Sequence, residues 1–297
     1  MFAAGVIYRY CMELTNIGTI KDVMERNGVS FTKSLGQNFL INPSVCPKIA
    51  EMGGAGPGKA AIEIGTGVGV LTKELALRCD KVVAVEIDER LRPILAETLA
   101  EFGNIEIVFA DILKTDVTAL IREKLAGYDD VIVCANLPYY ITSPVIMKLL
   151  EERPPIRSVT VMVQKEAAER LCAAVGSREC GAVTAAVNYY STPKMLFKVG
   201  RGSFMPSPNV DSAVIRLDIP EKPRYTVRDE ALFFRIVRSA FAQRRKQLLN
   251  PLSAALGIDK DTLRNILAEC GIKPSARPEE LKMEEIVALC DKISGIK

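Results

Sequence analysis

Asn136-Leu137-Pro138-Tyr139 is the stretch of this chain best equipped for chemistry. The Asn136 amide oxygen and the Leu137 carbonyl can both accept hydrogen bonds from an exocyclic NH2 group. Pro138 fixes its own φ and so holds that carbonyl in place. Tyr139 offers a ring face on which a flat base can stack. Together the four residues suit one task, holding a nucleobase by its amine. A strand-to-helix turn that merely contains Pro and an aromatic is the plainer account of the same residues.

A second group lies upstream. Glu63-Ile64-Gly65-Thr66-Gly67-Val68-Gly69 follows an apolar run and precedes a helical pattern. Glycines let a backbone turn tightly and approach a ligand closely. The spacing is GxGxG with Val at position 70, whereas a dinucleotide fingerprint needs GxGxxG or a final Ala. A smaller nucleoside such as S-adenosylmethionine therefore fits better than a pyrophosphate cradle. Glu86 lies about 20 residues beyond the turn, where an acid can take both ribose hydroxyls. Asp111 could accept from an adenine amine. Each acid alone reads more often as a solvated strand end. The glycine turn and these two acids at the tips of three successive strands, with Asn136 at a fourth, favour one shared site.

These residues need a scaffold that brings strand ends together. Segments 60–64, 81–85, 105–109, 131–135 and 159–163 read as strands, with helical patterns at 70–78 and 89–102. That alternation predicts a mostly parallel sheet with helices on both faces. Segments 195–199 and 212–219 have no helix between them and predict an antiparallel hairpin at a sheet edge. Pro220-Glu221-Lys222-Pro223 reads as a linker. Beyond it the pattern is helical, with Phe233, Ile236, Val237, Ala240 and Phe241 at helical spacing and two further short helices. The expected organisation is an N-terminal extension and helix over 1–30, a nucleoside-binding domain over 31–219 and a helical domain over 220–297.

Composition narrows the chemistry. The 297 residues include no histidine, which removes mechanisms that need an imidazole. Eight cysteines lie at irregular spacings with no metal-ligand pattern, so neither metal nor disulfide is expected, and reduced thiols suit a cytoplasm. No apolar run reaches a membrane span and no signal peptide is recognisable. The net charge is +3, yet residues 220–297 carry 15 Lys/Arg against 11 Asp/Glu. Arg235, Arg238, Arg244, Arg245 and Lys246 concentrate this excess. They read either as a solvated helix face or as contacts to RNA phosphate.

On these residues the chain resembles the KsgA family of ribosomal RNA adenine dimethyltransferases. That family is a branch of the class I methyltransferases shared with the Erm resistance enzymes. The resemblance runs from about Leu14 to the C-terminus. It includes Leu35-Gly36-Gln37-Asn38-Phe39-Leu40, the glycine turn, Glu86, Asp111 and Asn136-Leu137-Pro138-Tyr139. It also includes Phe204-Met205-Pro206-Ser207-Pro208-Asn209-Val210-Asp211-Ser212 and Phe241-Ala242-Gln243-Arg244-Arg245-Lys246. The fold so implied is α/β, a Rossmann-like class I methyltransferase sheet with an antiparallel edge hairpin, plus a small all-helical C-terminal domain.

The resemblance implies S-adenosylmethionine as methyl donor. Gln37, Asn38, Leu40, Gly65, Gly67, Glu86, Ile87, Asp111, Ile112 and Asn136 would contact it, and Phe204 would pack beside the target base. It further implies small-subunit rRNA and the immature small ribosomal subunit as partners, with the protein acting as a monomer. Residues 1–11 extend beyond the usual family start, and Met12 is the expected native start. Three other readings stay open on the residues alone. They are an Erm-type enzyme acting on large-subunit rRNA, a non-catalytic ribosome-assembly or transcription factor, and a dehydrogenase. The GxGxG spacing disfavours the last.

Overall fold

The computed structural model describes residues 12–29, 39–244 and 246–296. The extension at 1–11, Gln37, Asn38 and Arg245 lie outside them. Nine strands occur in the described residues: β1 (Phe39–Leu40), β2 (Ala60–Ile64), β3 (Lys81–Glu86), β4 (Ile105–Phe109), β5 (Val131–Asn136), β6 (Ser158–Gln164), β7 (Thr192–Val199), β8 (Phe204–Met205) and β9 (Ser212–Asp218). Seven form one sheet in the order β4-β3-β2-β5-β6-β9-β7. β4, β3, β2, β5 and β6 are mutually parallel, and β9 is antiparallel to both its neighbours. The short strands β1 and β8 pair separately, Leu40 opposite Phe204.

Both faces of the central strands are buried, as a doubly covered parallel sheet requires. Ala60, Ile62 and Ile64 of β2 share one core with Val131, Val133 and Ala135 of β5. Ala61, Ile132 and Cys134 point the other way, into a second core with the helices Val45–Met52 and Val70–Ala76. The helices Val117–Lys124, Tyr139–Glu152 and Ala182–Tyr190 cover the first face.

The expected edge hairpin forms, and its order in the sheet is informative. β9 lies inside, between β6 and β7, and β7 takes the edge. The residues account for this choice. β9 is buried along most of its length and aligns seven residues with β6. β7 carries Pro193, Lys194 and Lys198, which blunt an open edge.

Beyond residue 230 the chain is helical: Glu230–Ala242, Leu249–Leu256, Lys260–Glu269 and Met283–Ser294. Three helices thus follow the first, where two were expected. The stretch from Gly271 to Pro278 separates two helices and does not end the series. Aromatic packing joins this bundle to the sheet layer. Tyr189 lies 4.6 Å from Phe233 and Tyr190 stacks 5.4 Å from Phe234, ring centre to ring centre. The Glu230 carboxylate accepts from Arg153 at 2.6 Å and from the Tyr190 hydroxyl at 2.8 Å. One hydrophobic core runs from β2 and β5 through Phe233, Ile236 and Val237 to Leu289. Among the described residues no helix is long and apolar enough to cross a membrane.

Candidate active site

A cavity of about 340 Å³ opens at the carboxyl ends of β2, β3 and β5 and the loop after β4. Here the chain leaves β2 for β3 on one side, while β5 pairs on the other, and open α/β sheets place ligands at such a switch. Among the described residues, the lining includes Glu63, Glu86, Asp88 and Asp111 and no Lys or Arg. Arg90 pairs with Asp88 at 2.6 Å, and Lys114 approaches Asp111 at 3.5 Å.

The glycine turn forms the floor. Gly65 and Gly69 take φ of +77° and +93°, where a side chain would strain the backbone. A Cβ on Gly69 would also meet Leu99 at 3.0 Å. Glu86 is buried and holds this turn. Its Oε2 accepts from the Thr66 backbone N–H and hydroxyl at 2.9 Å each, and from Gly67 N–H at 3.4 Å. Its Oε1 accepts from the N–H groups of Ile87 and Asp88 at 2.8 and 2.9 Å. Glu86 therefore shapes the loop as well as facing the cavity, a role its spacing did not reveal.

Glu63 is the acid that sequence reasoning passed over. It lies in the middle of the sheet, opposite Ala84 on β3 and Cys134 on β5, and it is fully buried. Among the described residues neither of its carboxyl oxygens makes a well-formed hydrogen bond, and nor does the hydroxyl of Thr72, the polar group facing it. Burial pushes the Glu63 carboxyl up to about 8; Thr72 opposes the rise and the Glu86 charge adds to it. Burial also raises the thiols of Cys46 and Cys134, with a further rise from Glu63. An acid inside the apolar run Ala60-Ala61-Ile62-Glu63-Ile64 was the available signal.

This carboxyl makes stability depend on pH. Between pH 4.5, the ordinary value, and about 8 the folded chain holds a proton that the unfolded chain has lost. Folding takes up that proton, so its contribution to stability falls as pH rises through this window, by about 1 kcal/mol per pH unit. Glu63→Gln is expected to flatten the decline. Urea melts of the unliganded protein from pH 5 to 9 measure it, and equal slopes for both proteins would count against a neutral Glu63.

Asp111 follows β4. Its Oδ1 accepts from the Leu113 N–H at 3.0 Å, which leaves lone pairs for a ligand. Ile112 is buried beside it, while Ile87 is 62% exposed on the rim. Leu40 and Phe204 are buried partners on the far wall, so Phe204 packs in the core and lines the cavity at once.

Asn136 ends β5, opposite Met162 of β6. Among the described residues its side-chain amide makes no hydrogen bond. Leu137 is buried, and its side chain would lie 3.5 Å from a Cβ on Gly65. Pro138, at φ −54° and ψ 137°, precedes the helix Tyr139–Glu152, and its carbonyl accepts from Ile141 N–H and the Thr142 hydroxyl. The Tyr139 hydroxyl sits 2.8 Å from Ser212 Oγ of β9, which fixes the ring. The structure thus brings Asn136, Leu137, Pro138, Tyr139 and Phe204 to one cavity with Leu40, Gly65, Gly67, Glu86, Ile87, Asp111 and Ile112.

The basic cluster is split. Arg238 and Lys246 are exposed, whereas Arg235 and Arg244 are half-buried, and Arg235 Nε is buried without a partner among the described residues. None of these four lines the cavity.

The chain is similar to known proteins over nearly its whole length. Residues 28–294 match the model of the family described as ribosomal RNA adenine dimethylase. The chain is 48% identical over 287 residues to ribosomal RNA small subunit methyltransferase A of Geobacillus kaustophilus, covering 96% of this chain and 98% of that one. It is 49% identical over 276 residues to the protein of the same name from Bacillus cereus strain B4264, covering 92% and 94%. Among solved structures, a dimethyladenosine transferase from Plasmodium falciparum superposes with a TM-score of 0.74 at 26% identity, covering 86% of this chain and 97% of that one. The 23S rRNA methyltransferase ErmE gives 0.66 at 27% identity, covering 86% and 100%. With nearly its whole length matched, the chain belongs to the ribosomal RNA adenine dimethylase family.

Proposed function

We propose that this protein transfers methyl groups from S-adenosylmethionine to the N6 amines of two adjacent adenosines. These lie in the hairpin loop near the 3′ end of small-subunit rRNA, in the cytoplasm. The observation that carries the chemistry is a cavity lined, among the described residues, by the carboxylates of Glu86, Asp88 and Asp111, by the neutral Glu63 carboxyl and by no Lys or Arg. Such a site suits a cationic nucleoside and repels a pyrophosphate. The choice of small-subunit rRNA rests on 48% identity over nearly the full length to a small-subunit enzyme, against 27% to ErmE.

The donor supplies an activated methyl group on a sulfonium. The chain's own residues hold the acceptor. An adenine amine is a poor nucleophile because its lone pair is delocalised into the ring. Hydrogen bonds from its two N–H groups to Asn136 Oδ1 and the Leu137 carbonyl favour a pyramidal nitrogen and stabilise the positive charge that develops there. Tyr139 and Phe204 confine the base, which must leave its stack to enter. No base is needed before transfer, because the proton leaves to water afterwards.

RNA phosphate is excluded from an acid-lined cavity, so its contacts belong outside, on the basic residues of the helical region. Replacing Arg244, Arg245 and Lys246 by Ala is expected to weaken binding to small-subunit particles. If all three touch phosphate, the plot of log K against log salt becomes shallower by about 2–3 units. An unchanged slope with a lowered Tm would assign the cluster to packing instead. For the function itself, primer extension on rRNA from a strain lacking this gene, with and without the gene restored, is decisive. Stops at the two adenosines should appear only when the gene is present.

A further inference from the structure

We propose that Tyr140 is a stacking platform for the nucleotide next to the target base. The inference rests on the functional reading above. Tyr140 is 66% exposed, the most exposed of the large apolar and aromatic side chains described, although it lines the cavity. It follows Tyr139 at the start of the helix, where successive side chains diverge by about 100°. The Tyr139 ring is tied to Ser212 in the sheet, so the Tyr140 ring is turned to solvent at the mouth. Among the described residues its hydroxyl has no hydrogen-bond partner. Neither burial nor hydrogen bonding in the protein thus accounts for the ring.

RNA supplies what the ring lacks. A base drawn into the cavity leaves its neighbour unstacked on one face, which is unfavourable. An aromatic face at the mouth restores that stack, and the hydrophobic ring is covered in return. Where two neighbouring adenosines are modified in turn, the one outside the cavity would rest on Tyr140. The residue acts by positioning and touches no reacting atom.

The test uses the full-length protein and a synthetic RNA hairpin in which 2-aminopurine replaces the adenosine beside the target. Wild-type protein should quench the probe on binding, and Tyr140→Ala should leave it bright. Tyr140→Ala should also weaken hairpin binding about 5- to 150-fold, with donor affinity and Tm unchanged. Tyr140→Phe should behave as wild type, since only the ring face is used. Equal quenching by wild type and Tyr140→Ala would overturn the proposal, as would a Phe variant as impaired as Ala. Wild-type protein that binds donor but does not methylate small-subunit particles would instead overturn the functional reading, and this inference with it.

Discussion

Asn136→Ala is expected to lower methyl transfer by about 100- to 1,000-fold at saturating donor, the range found when one preorganised polar partner of a developing charge is removed. Asn136 stands at the cavity with an amide that makes no hydrogen bond among the described residues, so the protein gives it no evident structural duty. Its removal should therefore leave Tm near that of the wild type. RNA affinity should change little, because phosphate contacts carry most of it. Single-turnover methylation of small-subunit particles, at donor concentrations high enough to fill both proteins, isolates the chemical step. Near wild-type turnover under those conditions would remove Asn136 from the reaction.

The second large effect is on donor binding. Asp111→Ala should weaken S-adenosylmethionine about 10- to 150-fold, the loss of a hydrogen bond to a charged group. The Asp111 carboxylate also accepts from Leu113 N–H at 3.0 Å, so alanine loosens the turn as well. Asp111→Asn separates the two roles. It keeps an oxygen for Leu113 but removes the charge and one acceptor, and it should bind donor nearly as weakly as Ala with a Tm close to wild type. Calorimetric titration of all three proteins checks this. Full affinity in the Asn variant would show that the oxygen held out to Leu113 matters and the charge does not.

Much of the site was legible because its residues lie at strand ends, where a change from apolar to polar residues is visible. Asn136, Glu86 and Asp111 each follow such a run. Glu63 was hidden for the opposite reason: it sits within its run, and only the register against Ala84 and Cys134 shows how deeply it is buried. Strand order was also beyond the sequence. The pattern of segments 195–199 and 212–219 fixes a hairpin but not which strand faces β6. Among the basic residues, charge alone does not distinguish exposed Arg238 from half-buried Arg235, because that depends on which helix face meets the core.

The Glu230 junction has a mechanical consequence. Its carboxylate holds Arg153 from the sheet layer and Tyr190 from the helix Ala182–Tyr190, while Phe233 and Phe234 pack against Tyr189 and Tyr190. The helical region and the sheet therefore share one continuous core and do not meet at a hinge, so heat should melt the two as a single unit.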